Sequence, residues 1–387
     1  MHVLFITGEY PPQTGGVGAY TAELGRALVA QGVQVSVLTA QSVPVATAPA
    51  AGIAVYPVVP RWDWRIWSLV PTWAKKLGVD WVHVQYQTAA FAMHPAINLA
   101  PWRWGRRLPV AWTYHDLLVP YLFPKAGARL RRWITERPAF TSRQVIVTNE
   151  GDYLQLVGRV ANLAKIPIGS NIEGHKLTTA ERTARRLMRG YQEADLVIGY
   201  FGFLNRSKGG STLVRTLHTL VQQGRNARLL MIGERVGVSD PTNYAYLQEI
   251  EALITTLGLT ERVQWTGHQT DREVSADLAA CDILLMPYVD GASLRRGTLM
   301  AGLAHGCAII TTTPQAPLPE LVDGRDLLFV PVEEAVLRGE GTAAAQAVVR
   351  LANDEQLRTS LRIHAWERSQ LFTWPEIARQ HLKLYQP

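Results

Sequence analysis

Residues 2–18 read HVLFITGEYPPQTGGVG. The first six predict a short apolar strand, and the loop after it ends in Gly15 and Gly16. Apolar residues at helical spacing then run from Ala19 to Gln31. Glycines between a strand and a helix let backbone N–H groups approach an anion, and the helix dipole favours negative charge there. The stretch therefore predicts a binding site for a phosphate-bearing ligand.

The same region argues against a nicotinamide cofactor. The loop does not spell G-x-G-x-x-G. The next strand candidate, Val33 to Thr39, ends without the Asp or Glu that would bind a nicotinamide ribose. We therefore expect a phosphate-bearing ligand of another kind.

The composition indicates a folded cytoplasmic protein. The 387 residues are enough for two cores, and 47% of them are apolar. No apolar run has the length of a membrane span, and the first residues lack the pattern of a signal peptide. Cys281 and Cys307 lie in apolar stretches and indicate buried thiols, with a disulfide as the alternative. Because no Cys, His and carboxylate cluster has metal-ligand spacing, we expect no metal.

The excess of positive charge lies in the first half of the chain. Residues 1–178 contain 17 Lys and Arg against 9 Asp and Glu, whereas the remainder contains 22 against 23. Arginine and tryptophan mix in the segments Trp62–Trp67, Trp102–Arg107 and Arg129–Trp133. This mixture suits an anionic lipid surface, and a solvated rim around a core is the alternative. No nucleic-acid-binding motif accompanies it, so we expect no nucleic-acid partner.

Strand and helix patterns alternate in both halves, with six strand candidates in each. This alternation predicts two doubly wound α/β domains with parallel sheets, at residues 1–170 and 196–371. Turn residues and a polar, Arg-rich helix predict a linker at residues 171–195. Ligands of such domains bind beyond the carboxyl ends of the strands, so we expect the two domains to face each other across a cleft.

Two loops in the second half carry candidate binding residues. GFLNRSKGG, residues 202–210, lies between a strand candidate and a helix and contains Arg206 and Lys208. Cations at such a turn predict a second phosphate site, with a solvated surface loop as the alternative. PYVDGASLRRGT, residues 287–298, precedes another helix and is suited to a diphosphate or a sugar, with a plain capping turn as the alternative. Its candidate residues are Ser293, Arg295, Arg296, Gly297 and Thr298.

His115 follows the strand candidate Val110–Tyr114 at its carboxyl end. A histidine there can donate a hydrogen bond to a sugar hydroxyl or to a developing charge. The alternative is a structural contact within the domain.

These segments together resemble the retaining glycosyltransferases of the GT-B fold, family 4. The resemblance covers nearly the whole chain, including a last helix, residues 372–387, of the kind that packs back on the first domain. The segments that carry it are Glu9–Pro12, Gly15–Gly18, Tyr114–Asp116, Gly267-His268, Asp282–Pro287, Ala304–Gly306 and Pro319–Gly324.

The resemblance implies roles for individual residues. Gly16, with Gly15 beside it, would contact the donor phosphate and the acceptor, His115 the transferred sugar, and Lys208 the diphosphate. Backbone groups near three further residues would contact the nucleotide base without revealing which base it is. These are Gly233, Gly267 and His268.

The chain departs from the family pattern at two places. Phe203 stands where such enzymes usually have an Arg. Their two glutamates, eight positions apart, correspond without gaps to Ser293 and Ala301, although Asp290 can stand for the first of them. The cations available to replace the missing Arg are Arg206, Arg295 and Arg296.

The resemblance implies a metal-independent, cofactor-free enzyme that moves a hexose from a nucleotide-diphosphate sugar to an acceptor hydroxyl with retention of configuration. The resemblance implies that His115, Lys208 and Asp290 carry catalysis. No nucleophile–base pair is evident in the sequence, which agrees with a reaction that needs no enzymic nucleophile. The alternatives are a sugar-nucleotide epimerase of the same fold and a GT-B binding or scaffold protein that has lost catalysis.

In this fold the first domain binds the acceptor, and here it carries the excess positive charge. We therefore expect transient docking at the inner face of an anionic membrane through Trp62–Trp67 and Trp102–Arg107. The acceptor would be a lipid-linked or envelope glycan, with a soluble acceptor as the alternative.

Overall fold

The computed structural model describes residues 1–13, 15–44, 52–117, 119, 127–235, 241–332 and 342–386. These residues form two compact units. Unit 1 comprises Met1–Asn171 and Phe372–Pro387, and unit 2 comprises Ile172–Leu371.

Unit 1 is built on a seven-stranded parallel sheet of order β3-β2-β1-β4-β5-β6-β7. Its strands are β1 (His2–Thr7), β2 (Gln34–Ala40), β3 (Ala54–Val59), β4 (Trp81–Tyr86), β5 (Val110–Tyr114), β6 (Gln144–Val147) and β7 (Leu163–Lys165). Its helices are α1 (Gly16–Ala30), α2 (Ile66–Leu77), α3 (Pro95–Trp104), α4 (Gly127–Thr141), α5 (Glu150–Leu156) and, after unit 2, α13 (Trp374–Tyr385).

Helices cover both faces of this sheet, which explains why its central strand is apolar at successive positions. Leu4 and Ile6 of β1 pack into a core with Val84, while Val3 and Phe5 pack into a second core with residues of α1 and α13. A strand that is buried on both faces is typically apolar at successive positions rather than at every second one.

Unit 2 contains a six-stranded parallel sheet of order β10-β9-β8-β11-β12-β13. Its strands are β8 (Leu196–Phe201), β9 (Ala227–Ile232), β10 (Val263–Trp265), β11 (Ile283–Met286), β12 (Ile309–Thr312) and β13 (Leu328–Val330). Its helices are α6 (Thr179–Met188), α7 (Gly210–Gln222), α8 (Pro241–Thr256), α9 (Asp271–Ala280), α10 (Gly297–Ala304), α11 (Thr342–Asn353) and α12 (Glu355–Ser369).

The predicted fold class is confirmed, since each sheet has the strand order of a doubly wound domain. The sequence patterns did not predict β7, which has only three residues, all half-buried. Helix α1 begins at Gly16 rather than at Ala19, so Gly16 belongs to its first turn and Gly15 precedes it. Cys281 and Cys307 are buried free thiols. Within the described ranges, no helix is long and apolar enough to cross a membrane.

The arginine–tryptophan segments divide between core and surface. Trp62 and Trp104 are only 7% and 1% exposed, so they are core residues and cannot contact a membrane. Trp67 is partly buried and donates through Nε1 to the Ala96 carbonyl over 2.9 Å. Trp64 and Trp102 are each 49% exposed, so each predicted docking segment keeps one exposed tryptophan.

The segment predicted as a linker belongs to unit 2 from Ile172 onward. Helix α6 lies within it and packs on α9. The buried carboxylate of Asp277 accepts hydrogen bonds from Arg185 over 2.6 Å and from Arg189 over 2.5 Å. Arg189 donates a second bond to it over 3.0 Å, and Gln269 donates another over 2.9 Å. These bonds hold the helix against the unit, so this segment is not a free tether.

The Asp277→Asn variant tests this attachment. Burial acts to raise the pKa of Asp277, but the bonds from Arg185 and Arg189 outweigh it and leave the pKa lowered. The carboxylate therefore stabilises unit 2 above about pH 4, the range of an unfolded Asp, and that stabilisation is lost as the pH falls through the lower folded pKa. We expect the variant to lose about 2 kcal/mol at pH 7 and proportionally less near pH 3.

The measurement is urea unfolding of the full chain, with amide hydrogen exchange in β8 and β11 as the report on unit 2. Asp271→Asn, on the exposed first turn of the same helix, is the matched control. Equal losses in the two variants would contradict the attachment of α6 through Asp277.

Candidate functional site

Each unit has a group of predicted site residues where the chain leaves the carboxyl ends of parallel strands. In unit 2 two loops meet there, residues 202–210 after β8 and residues 287–298 after β11. The backbone N–H of Val289 donates to the Ser207 carbonyl over 2.9 Å. A Cβ on Gly209 would lie 2.0 Å from the Pro287 carbonyl oxygen, so only glycine permits this approach.

This contact places two cations on the ring of Tyr288, which is fully buried. The Lys208 ammonium lies 5.7 Å from the ring centre and the Arg296 guanidinium 4.8 Å from it. The hydroxyl of Tyr288 is 2.6 Å from Thr298 Oγ1, on the first turn of α10. The tyrosine therefore fixes both cations at the N-terminus of a helix, a place that favours anions.

The charges of this group do not cancel. Asp290 pairs with Arg295 at 3.3 Å and also with Arg296. Lys208 has no ion-pair partner within the described part of the chain. Burial and, to a smaller extent, the nearby Arg296 lower the pKa of Lys208 to about 8, while Asp290 opposes the shift. The groups available to bind an anion here are the desolvated ammonium of Lys208, the guanidinium of Arg296 and the first amides of α10, those of Gly297 and Thr298.

Two predicted members of the unit 2 site are engaged differently. Arg206 pairs with Glu249 of α8, lies over the Tyr246 ring and is 71% exposed in its side chain, so it is committed to a surface contact. The Ser293 carbonyl accepts from the Arg296 amide over 3.1 Å, and its Oγ makes a long contact of 3.5 Å with the Arg295 amide. At the two positions of departure from the family pattern, Phe203 is 45% exposed and Ala301 is buried inside α10.

The residues predicted to contact a base lie together at the ends of β9 and β10. Gly233 and Gly267 form a bridge and both have positive φ, 100° and 71°. A Cβ on Gly267 would meet nothing within 4 Å. His268 has an 86% exposed side chain and its Nδ1 lies 2.8 Å from Glu234 Oε1. The backbone at Gly267 is therefore accessible, and it lies next to His268, which is exposed and paired with the Glu234 carboxylate.

In unit 1 the glycine loop already holds an anion of the chain itself. Glu9 Oε1 accepts from the amides of Val17 and Gly18, over 2.9 and 3.0 Å. A Cβ on Gly15 would lie 2.3 Å from that carboxylate, whereas one on Gly16 would meet nothing within 4 Å. The amides predicted to bind a phosphate are therefore occupied in part by Glu9, and Gly16 offers the open face. Loop spacing alone could not reveal this partner.

His115 lies at the end of β5 as predicted. Its Nε2 is 3.1 Å from Gln85 Oε1, and its ring meets the Tyr20 ring edge-on at 4.6 Å. Burial lowers the pKa of His115 to about 3, with His381 as a second cause. The imidazole is therefore neutral at physiological pH and acts as a hydrogen-bonding group rather than as a cation.

The two halves of the chain match two families. Residues 14–162 match the family described as "Glycosyltransferase Family 4", and residues 195–354 match "Glycosyl transferases group 1". The 2-deoxystreptamine glucosyltransferase of Streptomyces kanamyceticus is 33% identical over 25% of this chain, and the match spans only 23% of that relative's length. The phosphatidyl-myo-inositol mannosyltransferase of Mycobacterium leprae is 21% identical over 96% of this chain and 93% of its own length.

The fold has solved counterparts. The structure of Anabaena Alr3699/HepE in complex with UDP and glucose superposes with a TM-score of 0.71 at 18% identity, covering 99% of this chain and 98% of that one. This likeness extends over both units.

The Lys208→Met variant tests whether the desolvated ammonium of Lys208, beside Arg296, costs unit 2 stability. An unfolded lysine has a pKa near 10.4, above the folded value of about 8. Below pH 8 the buried ammonium therefore costs stability, and that cost is relieved as the pH rises from 8 to 10. We expect Lys208→Met to raise the free energy of unfolding of unit 2 by about 1–2 kcal/mol at pH 7 and by less at pH 10.

Urea unfolding at the two pH values makes this measurement. Arg206→Met, at the exposed ion pair, should stay within about 0.5 kcal/mol of the parent and serves as the control. A loss of stability in Lys208→Met at pH 7 would show that the cluster is not strained.

Proposed function

Because this chain belongs to the family 4 glycosyltransferases and has the GT-B fold, we propose that it transfers a hexose from a nucleotide-diphosphate sugar to an acceptor hydroxyl, with retention of configuration. The observation that carries the proposal is the pair of cations, Lys208 and Arg296, held on Tyr288 beside the start of α10. Such a cluster stabilises the charge that develops on a leaving diphosphate.

The proposed reaction needs no nucleophile from the protein. The bond between the sugar C1 and the diphosphate oxygen breaks, and the diphosphate takes the electron pair. The acceptor oxygen bonds to C1 on the same face, and its proton passes to the departing diphosphate oxygen. Lys208, Arg296 and the amides of Gly297 and Thr298 stabilise the diphosphate without a metal, while neutral His115 hydrogen-bonds the transferred sugar.

A second candidate, a sugar-nucleotide-binding protein without turnover, is favoured by Phe203 and Ala301. The first lacks the cation and the second lacks the carboxylate that the family pattern has at these positions. The two candidates differ in one measurable respect, because a pure binding protein releases no nucleotide from a bound donor.

Donor turnover tests the proposal. UDP-, GDP- and ADP-sugars are incubated with the full chain, beginning with UDP-glucose, since a structural neighbour was solved with UDP and glucose. We expect nucleotide release, and we expect Lys208→Met to lower kcat/KM for the donor by about 10²–10³-fold. Because the same variant should be more stable than the parent, this loss cannot come from unfolding.

Arg206→Met is again the matched control, with an expected change below about threefold, because exposed ion pairs contribute little. Product NMR reports the anomeric configuration, and an inverted product contradicts retention. Binding of a nucleotide sugar without release of the nucleotide would establish the second candidate. If calorimetry detects no binding of any of these nucleotide sugars, both candidates are overturned.

We propose further that the acceptor is presented at an anionic lipid surface. Helices α3 and α4 pack together and expose Trp102 and Trp133, at 49% and 51%. Around them, the exposed arginines are Arg103, Arg106, Arg107, Arg129 and Arg132. This surface combines the aromatic and cationic groups that suit lipid headgroups. The name of the Mycobacterium leprae relative contains phosphatidyl-myo-inositol, whereas that of the Streptomyces relative contains 2-deoxystreptamine.

Vesicle sedimentation distinguishes an acceptor at a lipid surface from a soluble acceptor. The chain should sediment with anionic vesicles at low salt and be released at high salt, because screening weakens the contact. Replacing Arg103 and Arg106 by Glu should weaken partitioning by roughly tenfold or more, since each basic residue contributes about 1 kcal/mol. Replacing Lys75 and Lys76 of α2 by Glu changes the net charge by the same amount and is the matched control. Absence of sedimentation at low salt would favour a soluble acceptor.

A further inference from the structure

Polar side chains run through the interior of unit 1 from α13 to His115. His83 and Gln85 lie on β4 and are fully buried, and Tyr385 of α13 is 3% exposed. Buried polar groups are costly unless they are hydrogen-bonded, so such a series in an apolar sheet calls for an explanation. We name it the β4 relay: Tyr385, His83, Gln85 and His115.

Each member of the β4 relay contacts the next. The Tyr385 hydroxyl is 2.5 Å from His83 Nδ1. His83 Nε2 is 2.7 Å from Thr113 Oγ1 and 3.4 Å from Gln85 Nε2. Gln85 Oε1 is 3.1 Å from His115 Nε2. The series therefore connects the last helix of the chain to the predicted sugar-contacting histidine.

The amide of Gln85 gives the β4 relay a direction. Its Nε2 can only donate and its Oε1 can only accept. His115 must therefore carry its proton on Nε2, which leaves the lone pair on Nδ1. In turn His83 accepts on Nε2, carries its proton on Nδ1 and donates it to the Tyr385 hydroxyl. Thr113 Oγ1 then also donates to Nε2 of His83, and the bonds of the β4 relay run in one sense from His115 to Tyr385.

The remaining contacts of His115 do not take up Nδ1. Tyr20 meets the imidazole with its ring, and His381 donates from its own Nδ1 to the Ile377 carbonyl over 2.8 Å. The backbone amide of His115 donates to the Tyr86 carbonyl over 2.9 Å. Among the described residues, none hydrogen-bonds Nδ1 of His115, so this atom is available as an acceptor.

We propose that Gln85 is the positioning residue of His115: it fixes the neutral Nε2–H tautomer and presents Nδ1 to a substrate hydroxyl, and Tyr385 of α13 fixes Gln85 through His83. His115 thus accepts a hydrogen bond from the transferred sugar rather than donating one. The identity of the hydroxyl donor rests on the proposed function, whereas the tautomer is a property of the protein alone.

Nitrogen NMR of the full chain, labelled with ¹⁵N-histidine, tests the tautomer without any substrate. His115 should show a protonated Nε2 and an unprotonated Nδ1 in the parent. Gln85→Leu removes the acceptor and should shift the proton to Nδ1 in part or in full. Gln85→Glu keeps an acceptor oxygen and should retain the parent tautomer. A parent signal with the proton on Nδ1 would overturn the proposal.

The Tyr385→Phe variant tests whether Tyr385 influences the His115 tautomer through His83 and Gln85. It removes only the hydroxyl beside His83, yet it should produce a second His115 signal with the proton on Nδ1. Tyr56→Phe, on β3 of the same sheet, is the matched control and should leave the His115 signals unchanged. If circular dichroism shows that Gln85→Leu does not fold, the His115 signals of Tyr385→Phe still test whether the relay sets the tautomer. An unchanged His115 in Tyr385→Phe would overturn the role of α13.

Turnover links the tautomer to chemistry. Gln85→Leu should lower kcat by about tenfold or more, the scale of a lost positioning contact, with little change in KM for the donor. Tyr385→Phe should change kcat in the same direction. A loss confined to KM would contradict positioning of His115. If the parent turns over no nucleotide sugar, the proposed function fails, while the NMR result still decides the tautomer.

Discussion

The candidate donor site depends on one close approach of backbone to backbone. Gly209 has a φ of +69°, and a side chain there would collide with the Pro287 carbonyl oxygen. With glycine in place, the turn Arg206–Lys208 lies against the segment that follows β11. Tyr288 can then receive Lys208 from one loop and Arg296 from the other. The charges of the site therefore depend on the absence of a single Cβ.

Two turns with the same strand–glycine–helix pattern differ in their electrostatics. In unit 1, Glu9 supplies the negative charge that the helix N-terminus favours, so α1 begins already neutralised. In unit 2, Lys208 and Arg296 share Tyr288 with Asp290 as the only carboxylate paired there in the described residues. The second arrangement gains more from an incoming anion. This difference, rather than the glycine pattern, makes unit 2 the better candidate for the diphosphate.

The fold could be predicted from the sequence, whereas most of the site could not. Apolar strands such as Val110–Tyr114 mark a parallel sheet through their own composition, and only the three-residue strand β7 lacked that signal. The partners of Glu9, Arg206 and Asp277 are set by packing between elements, which local spacing does not encode. The sequence did contain a signal for the buried polar side chains of unit 1. Strand β4 reads WVHVQY, which places His83 and Gln85 two residues apart, and it is paired with a strand on each side, β1 and β5. Polar residues on one face of a central strand indicate a buried network.

If the chain is the transferase proposed above, the cation missing at Phe203 has to come from another position. The chain leaves β8 at Gly202 and leaves β11 shortly before α10, and these two strands are neighbours in the sheet. A Cβ on Gly202 would lie 2.7 Å from Thr298 Cγ2 and 3.6 Å from Lys208 Nζ, so the ends of both strands meet at the same place. A guanidinium can therefore reach this region from the start of α10 as readily as from the residue after Gly202. Under the proposed function, Arg296, held by Tyr288 and Asp290, supplies the cation that Phe203 lacks.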